Sequence, residues 1–419
     1  MVLERPELFH PREWLLFVTL MLLLFAAGLG MEYRRYAELT RFDDAVAEVL
    51  VQDQYLKRKG AKRYYVLKLR GDDGATFYTT GPPELRDLRG YRLEVRMQTK
   101  RLEYLDYLKG FFAYTTILKV YPEREVRTRL AGAVARRHLS PEAGQIYAAL
   151  FTASPMEKPL REKLAALGVS HLLAISGFHL GVLGFVLFWL FRLPVTALQS
   201  RYAPYLHRGR LLFVLSALPL LGYLWFLDFV PSLLRAFVMM LVGYVLYDRG
   251  LKVLSLQTLA VAVLLILAFW PRLLFSLGFW LSVGGVFSIL LFIRHFSHWN
   301  KIVLFGAIHL WVYLMMLPVS LWIFGIFSPL HPLSMLWSMG FILFYPLVLA
   351  LHLFGAEGVL YGVMEWFLSL AHVAHATVPG WAVGVQFLLA FAALFSRFGL
   401  WLLFGVSLAV FAGAVYQVA

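Results

Sequence analysis

From residue 171 onward apolar residues fill long uninterrupted blocks, whereas between 42 and 121 they alternate with polar ones. Blocks near the roughly 20 residues needed to cross a bilayer predict membrane helices. The predicted spans are 171–192, 211–227, 229–247, 253–269, 273–293, 302–324, 333–354, 380–396 and 398–416, with 358–377 left open. A further run at 14–30, WLLFVTLMLLLFAAGLG, lies between Arg5 and Arg12 on one side and Glu32, Arg34 and Arg35 on the other. Its closing Ala26, Ala27 and Gly28 are compatible with a cleaved signal peptide, but a multispanning chain needs no removed signal. An uncleaved anchor is therefore the preferred reading.

The alternating region predicts strands. In RYYVLKLR, Tyr65, Leu67 and Leu69 face one way and Val66, Lys68 and Arg70 the other; in YRLEVRMQ, Leu93, Val95 and Met97 oppose Arg92, Glu94 and Arg96. GDDG at 71–74 is a hairpin turn joining 62–70 to 75–80, and further strands fit 45–56, 91–99 and 114–121. That set suits a small antiparallel barrel such as an OB-fold, although an unrelated β-domain has the same strand count. Between 125 and 168 the pattern returns to helix. EVRTRLAGAVARRHL is cationic through Arg127, Arg129, Arg136 and Arg137, and MEKPLREKLAALG is amphipathic through Leu160, Leu164 and Leu167, so both fit helices lying along a bilayer surface. The chain divides into a first helix (1–30), a β-domain (31–122), surface helices (123–170) and a membrane domain (171–419). The fold class is a polytopic α-helical membrane protein of about 9–11 spans with an N-terminal extracytoplasmic OB-like β-barrel.

Charge sets the orientation. Residues 31–140 hold 23 bases and 15 acids, whereas 171–419 holds eleven bases and only four acids, Asp228, Asp248, Glu357 and Glu365. The connection 192–210 carries Arg192, Arg201, Arg208 and Arg210, that at 248–252 Arg249 and Lys252, and that at 294–301 Arg294 and Lys301. Alternate connections hold only Asp228, only Arg272, or no charge in 325–332. The basic set is assigned to the cytoplasm, which puts the N-terminus inside and the β-domain outside. Zero cysteines exclude disulfides, thiol catalysis and thiolate metal sites. A net charge of +14 supports an anionic partner only weakly, because membrane proteins also use bases for topology.

Three groups of residues carry candidate chemistry. Lys57, Arg58, Lys59, Lys62 and Arg63 are interleaved with Tyr55, Tyr64 and Tyr65; bases for a phosphate backbone and flat faces for nucleobases are what single-stranded nucleic acid requires, and a solvated charged hairpin is the bland alternative. GVSHLLAISGFHLG places His171, Ser176 and His179 in an apolar segment, where polar groups are costly. His171 and His179 would sit about 12 Å apart on a straight helix, too far to share a metal ion. Ser176 and His179 are neighbours at i, i+3, but no carboxylate is near to orient the histidine as a serine hydrolase needs. Interhelical hydrogen bonding or a polar lining of a permeation path remains. Gly177, Gly181 and Gly184 permit close helix approach or a break beside Ser176. Arg235 lies about a turn and a half inside a span, where it either snorkels toward Asp228 or grips phosphate with its guanidinium fork. The pairs His295/His298 and His372/His375 lack an acidic partner and read as interfacial, so no metal or cofactor is assigned.

The run ALFTASPMEKPLREKLAALGVSHLLAISGFHLG resembles the signature segment of the ComEC competence proteins, which carry single-stranded DNA through the inner membrane in natural transformation. PSLLRAFVM at 231–239 resembles that family's Pro-Ser-x-x-Arg-Ala element, and LLFSLGFWLSVGGVFSILL at 273–291, with Ser282, its Gly-Phe-x-Leu-Ser span. The resemblance implies an inner-membrane channel with no chemistry of its own. His171, Ser176, Gly177, His179, Arg235 and Ser282 would belong to the pore, and Lys57, Arg58, Lys59, Lys62, Arg63, Tyr64, Arg127, Arg136 and Arg137 would meet DNA. It implies as partners single-stranded DNA, a periplasmic DNA receptor and the lipid bilayer. With no GxxxxGK[ST] motif, energy would come from a cytoplasmic ATPase or helicase or another driving force. Trp270 and Trp280 depart from the family's Asp and Gln, and no HxHxDH motif of its metallo-β-lactamase-like domain occurs before Ala419. Strand degradation would then fall to a separate nuclease. The rival readings are a secondary transporter for a small anion, which inverted repeats would favour, and an intramembrane hydrolase.

Overall fold

Pro11, in the first helical turn, and a Glu13 carboxylate that accepts the His10 N–H at 2.9 Å start the first helix, α1 (Pro11–Leu39). The helix outruns the 14–30 anchor because its polar end, EYRRYAEL, has something to pack on. Tyr36 donates to the Leu102 carbonyl and Tyr104 to the Leu29 carbonyl, both at 2.8 Å. The computed structural model describes residues 10–60, 62–202, 205 and 207–418; Arg5 and three residues of the 192–210 connection, Ala203, Pro204 and Leu206, lie outside that range.

The β-domain follows as β1 (Asp44–Lys59), β2 (Lys62–Gly71), β3 (Thr76–Gly81), β4 (Tyr91–Gln98), α2 (Tyr104–Lys109), β5 (Phe111–Phe112) and β6 (Thr115–Arg124). Gly74, at φ +80°, and an Asp73 carboxylate accepting the Ala75 N–H close the GDDG turn. The strand order is β5-β3-β2-β1-β4-β6, antiparallel throughout except for β3 with β5. Leu67, Leu69, Leu93, Val95 and Met97 fill the core with Val49, Val51 and Phe77. The expected closed barrel is corrected to an open sheet. Its β5 is two residues long and pairs only Phe77 with Phe111 and Tyr78 with Phe112, after which the chain crosses to β6 on the opposite edge. The two edges are joined through the chain, without a ladder.

Then come α3 (Val126–Arg136), α4 (Pro141–Thr152), α5 (Lys158–Ala166), α6 (Ser170–Leu173), α7 (Gly177–Tyr202), α8 (Arg208–Phe226), α9 (Pro231–Asp248), α10 (Leu256–Phe269), α11 (Leu277–Phe296) and α12 (Lys301–Phe324). A strand β7 (Ile326–Phe327) precedes α13 (Ser334–Leu353) and α14 (Tyr361–Ser369), and β8 (Ala374–His375), which pairs with β7, precedes α15 (Gly380–Ala393) and α16 (Arg397–Val418). Among the described residues eight helices are long and apolar enough to cross a membrane, which corrects the expected 9–11. The expected spans at 253–269 and 380–396 are α10 and α15, each of 14 residues, or about 21 Å, short of a hydrocarbon core of about 30 Å. The open question at 358–377 resolves to a nine-residue helix and β8. Helix α7 runs on to Tyr202 through Pro194, so Arg192 and Arg201 stand on a helix.

Helices α4 and α5 are packed into the protein, whereas α3 buries only Ala131 and leaves Val126 and Leu130 exposed. Leu160, Leu164 and Leu167 join Ile146, Tyr147, Phe341, Tyr345 and Met364 in one buried cluster, so the apolar stripe of α5 is enclosed by protein. Two ionic contacts seat the β-domain on the membrane helices. Arg70, at the base of β2, pairs with Asp228 in the α8–α9 turn, and Arg272, between α10 and α11, pairs with Glu32 of α1 at 2.6 Å and lies 3.6 Å from Asp73. At the opposite ends of α8 and α9, Arg210 pairs with Asp248 at 3.1 Å.

Candidate functional site at the broken helix

The apolar run beginning at 171 is broken. Helix α5 ends before Gly168, whose φ of +71° and position beside Ser334, 2.6 Å from where a Cβ would stand, admit no side chain. One helical turn, α6, follows, and Ala174 is extended. Ser176 then opens α7: its hydroxyl accepts the Phe178 N–H at 3.3 Å. His179 Nδ1 accepts the Ser176 N–H at 3.1 Å and lies 3.1 Å from the Ser176 hydroxyl. The i, i+3 pair therefore does meet, as part of a helix cap. With Nδ1 accepting, the ring proton sits on Nε2, which is buried without a partner among the described residues, 4.6 Å separating the ring centroid from that of Tyr345. Among the described residues no carboxylate orients this histidine, so the pair has no third member of a hydrolytic triad there.

Arg235 lies against this break. The first turn of α9, set by Pro231, places the Ser232 hydroxyl 2.5 Å from the Ile175 carbonyl, to which it donates. One turn later Arg235 is 6% exposed; Nε donates to the Ser282 hydroxyl of α11 at 2.9 Å and Nη1 lies 3.0 Å from the Met239 sulfur. Gly177 makes room for it, since a Cβ there would stand 2.9 Å from Ala236 Cβ and 3.6 Å from Arg235 Nη2. The contact with Met239, four residues on, shows the side chain reaching along α9 away from Asp228, and Asp228 is taken by Arg70. Among the described residues Arg235 has no carboxylate partner. A buried, uncompensated guanidinium costs several kcal/mol, and its remaining N–H donors have the chemistry to meet an anion.

Ser176, Gly177, His179, Arg235 and Ser282 thus come together, from three segments spread over about a hundred residues. His171 does not join them; it is exposed on α6, with Nε2 3.1 Å from the Ser338 hydroxyl of α13. Trp280 donates to the Leu274 carbonyl at 2.7 Å and Trp270 packs on Phe229, so both tryptophans serve local packing. Among the described residues no three His, Asp or Glu side chains converge as a metal site requires.

The basic residues of the β-domain form an arm. Beyond the ladders to β3 and β4, the ends of β1 and β2 pair only with each other, Lys57 opposite Tyr64, Arg58 opposite Arg63 and Lys59 opposite Lys62. All five bases are exposed and none has an ion pair among the described residues. Like charges directly opposite are destabilising, so this arm is improved by any polyanion laid across it. Arg127, Arg136 and Arg137 are elsewhere, on α3 and its end. Arg127 is drawn to Glu125 at 3.8 Å and donates to the Leu227 carbonyl at 3.4 Å, Arg137 donates to the His352 carbonyl, and Arg136 is exposed.

Sequence reasoning missed the node on Arg272, read there only as a loop base. Its Nη2 donates to Glu32 at 2.6 Å and to the Tyr107 hydroxyl at 2.7 Å, and Tyr107 donates to Asp73 at 2.7 Å. Burial, with that bond to Asp73, pushes the Tyr107 hydroxyl far above its ordinary value and keeps it a donor. The available signal was an acid, Glu32, placed directly after an apolar run.

A family model described as competence protein matches residues 152–419. No curated protein and no solved structure matches the chain.

Proposed function

Because the chain belongs to the competence protein family, we propose that it is the channel by which one strand of DNA crosses the inner membrane into the cytoplasm during natural transformation. Membership makes it a multi-pass membrane protein of DNA uptake. Passage of a single strand, the side of entry and the absence of strand cleavage by this chain are our reading. The observation that carries it is Arg235: three segments of sequence meet around a buried guanidinium that no carboxylate neutralises among the described residues, beside a break in a helix. A phosphate backbone supplies the missing charge repeatedly, one residue at a time. The strand is received outside by the arm of β1 and β2, with a periplasmic receptor delivering it and a separate nuclease removing its complement. It is drawn inward by a cytoplasmic ATPase or helicase. Each phosphate that reaches Arg235 exchanges its water for guanidinium donors and leaves as the next arrives, which requires binding weak enough to release.

The test is a deletion strain supplied with labelled duplex DNA. DNA should accumulate outside the inner membrane while nuclease-protected single strands in the cytoplasm disappear, and the wild-type chain should restore them. Normal internal label in the deletion strain overturns the reading.

A further inference from the structure

The α8–α9 turn holds two successive residues in the left-handed region, Asp228 at φ 62° and Phe229 at φ 52°. Neither is glycine, and for a bulky aromatic such a conformation is an outlier. It persists only where surrounding contacts over-determine it, and here they come from three directions. Leu227 offers its carbonyl to Arg127 of α3, Asp228 pairs with Arg70 of β2, and Phe229 packs on Trp270. After the strained pair and the cap residue Val230, Pro231 starts α9, Ser232 holds the Ile175 carbonyl at the helix break, and Arg235 follows within a turn.

We infer that Asp228 is a positioning residue for the Arg235 site: its pairing with Arg70 keeps the turn strained and thereby sets α9 so that Ser232 and Arg235 meet the break. This rests on the reading of Arg235 given above. The strand that supplies Arg70 is the one whose far end forms half of the basic arm, so a single ten-residue element joins the exposed bases to the turn. Seating of the β-domain and assembly of the Arg235 site are then one event. Without Arg70, Asp228 faces no other ionic partner among the described residues, the turn relaxes, and the first turn of α9 shifts against Ile175.

The absence of cysteine makes the test direct. Ala174, exposed in the break, is replaced by cysteine in the full-length protein, and its rate of thiol labelling is followed with DNA uptake in cells. Arg70→Asp and Asp228→Arg should each change labelling at least threefold and cut uptake at least tenfold at normal protein levels, and the exchanged double variant should restore both. Asp228→Asn tolerates the left-handed backbone, so its intermediate effect reads the ion pair alone. Labelling and uptake unchanged in all single variants, or a double variant present at normal levels that restores neither, overturns the inference. Labelling that changes and is restored while uptake never falls supports the positioning role and overturns the transport reading of Arg235.

Discussion

Arg272 and Glu32, separated by 240 residues, meet in a bidentate contact in which Nε and Nη2 of the arginine reach the same carboxylate oxygen at 2.9 and 2.6 Å. Only about a tenth of the Glu32 side chain is exposed. Removing one partner of such a buried pair costs up to about 3 kcal/mol, moderated here because Asp73 lies 3.6 Å from Arg272 and Arg35 3.4 Å from Glu32. Glu32→Gln should therefore lower the midpoint of thermal unfolding in detergent by several degrees, and Arg272→Met should do the same. The double variant should lose much less than the two combined. Strict additivity in a thermal-shift series would show that the two residues do not act as a pair.

Arg235→Leu should insert normally, since leucine is easier to place in lipid than arginine. A charge-assisted contact of about 1.5–3 kcal/mol corresponds to a loss of roughly ten- to a hundredfold in DNA passage. Arg235→Lys should recover part of it, keeping the charge without the fork. Normal transformation by the leucine variant at normal expression removes Arg235 from the path.

Replacing Lys57, Arg58, Lys59, Lys62 and Arg63 with serine should weaken binding of single-stranded oligonucleotide by the detergent-purified protein. If all five bases contact phosphates, the slope of log affinity against log salt should flatten by roughly 3.5. An unchanged slope identifies the arm as a solvated hairpin.

His138, in the α3–α4 connection, has Nε2 3.1 Å from His352 Nε2, with Tyr147 stacked on it and Arg137 and Glu357 as its charged neighbours. Burial, then the nearby His352, holds the His138 imidazole below its ordinary value. The unfolded chain therefore takes up this proton more readily than the folded one, so the contribution to stability is full above about pH 6.5 and declines as pH falls below it. Thermal midpoints measured between pH 7.5 and 5 should fall for the wild type and fall less for His138→Gln. Parallel curves exclude His138 as the source of the slope.

The strands were legible because their core face is apolar and the other largely polar: alternation fixes that Leu67 points into the core and Lys68 away from it. Whether the sheet closes depends instead on the length of β5, and two residues at Phe111 and Phe112 carry no pattern. The break at 174–176 was half legible from Gly177 and its neighbours, but only the structure shows that Ser232 fills the space beside it. Length was the weakest inference, because apolarity does not stop where a helix does. Phe269 ends α10 in an apolar stretch, and α1 continues through Tyr36 since the β-domain offers it partners. The pairs Arg70 with Asp228 and Arg272 with Glu32 join residues with nothing in common along the chain.

Because α1 passes without interruption from its exposed apolar half into contacts with Tyr104 and Leu102, it is a rod of 29 residues, about 44 Å long. An apolar rod adjusts to the hydrocarbon around it by tilting. Tilt at one end of this rod is leaned on by the β-domain at the other, through Leu29, Tyr36 and Leu39. The pairs Arg70 with Asp228 and Arg272 with Glu32 hold that same domain to the other helices, so the rod cannot tilt by itself: any adjustment to the bilayer is shared by the β-domain and the bundle together.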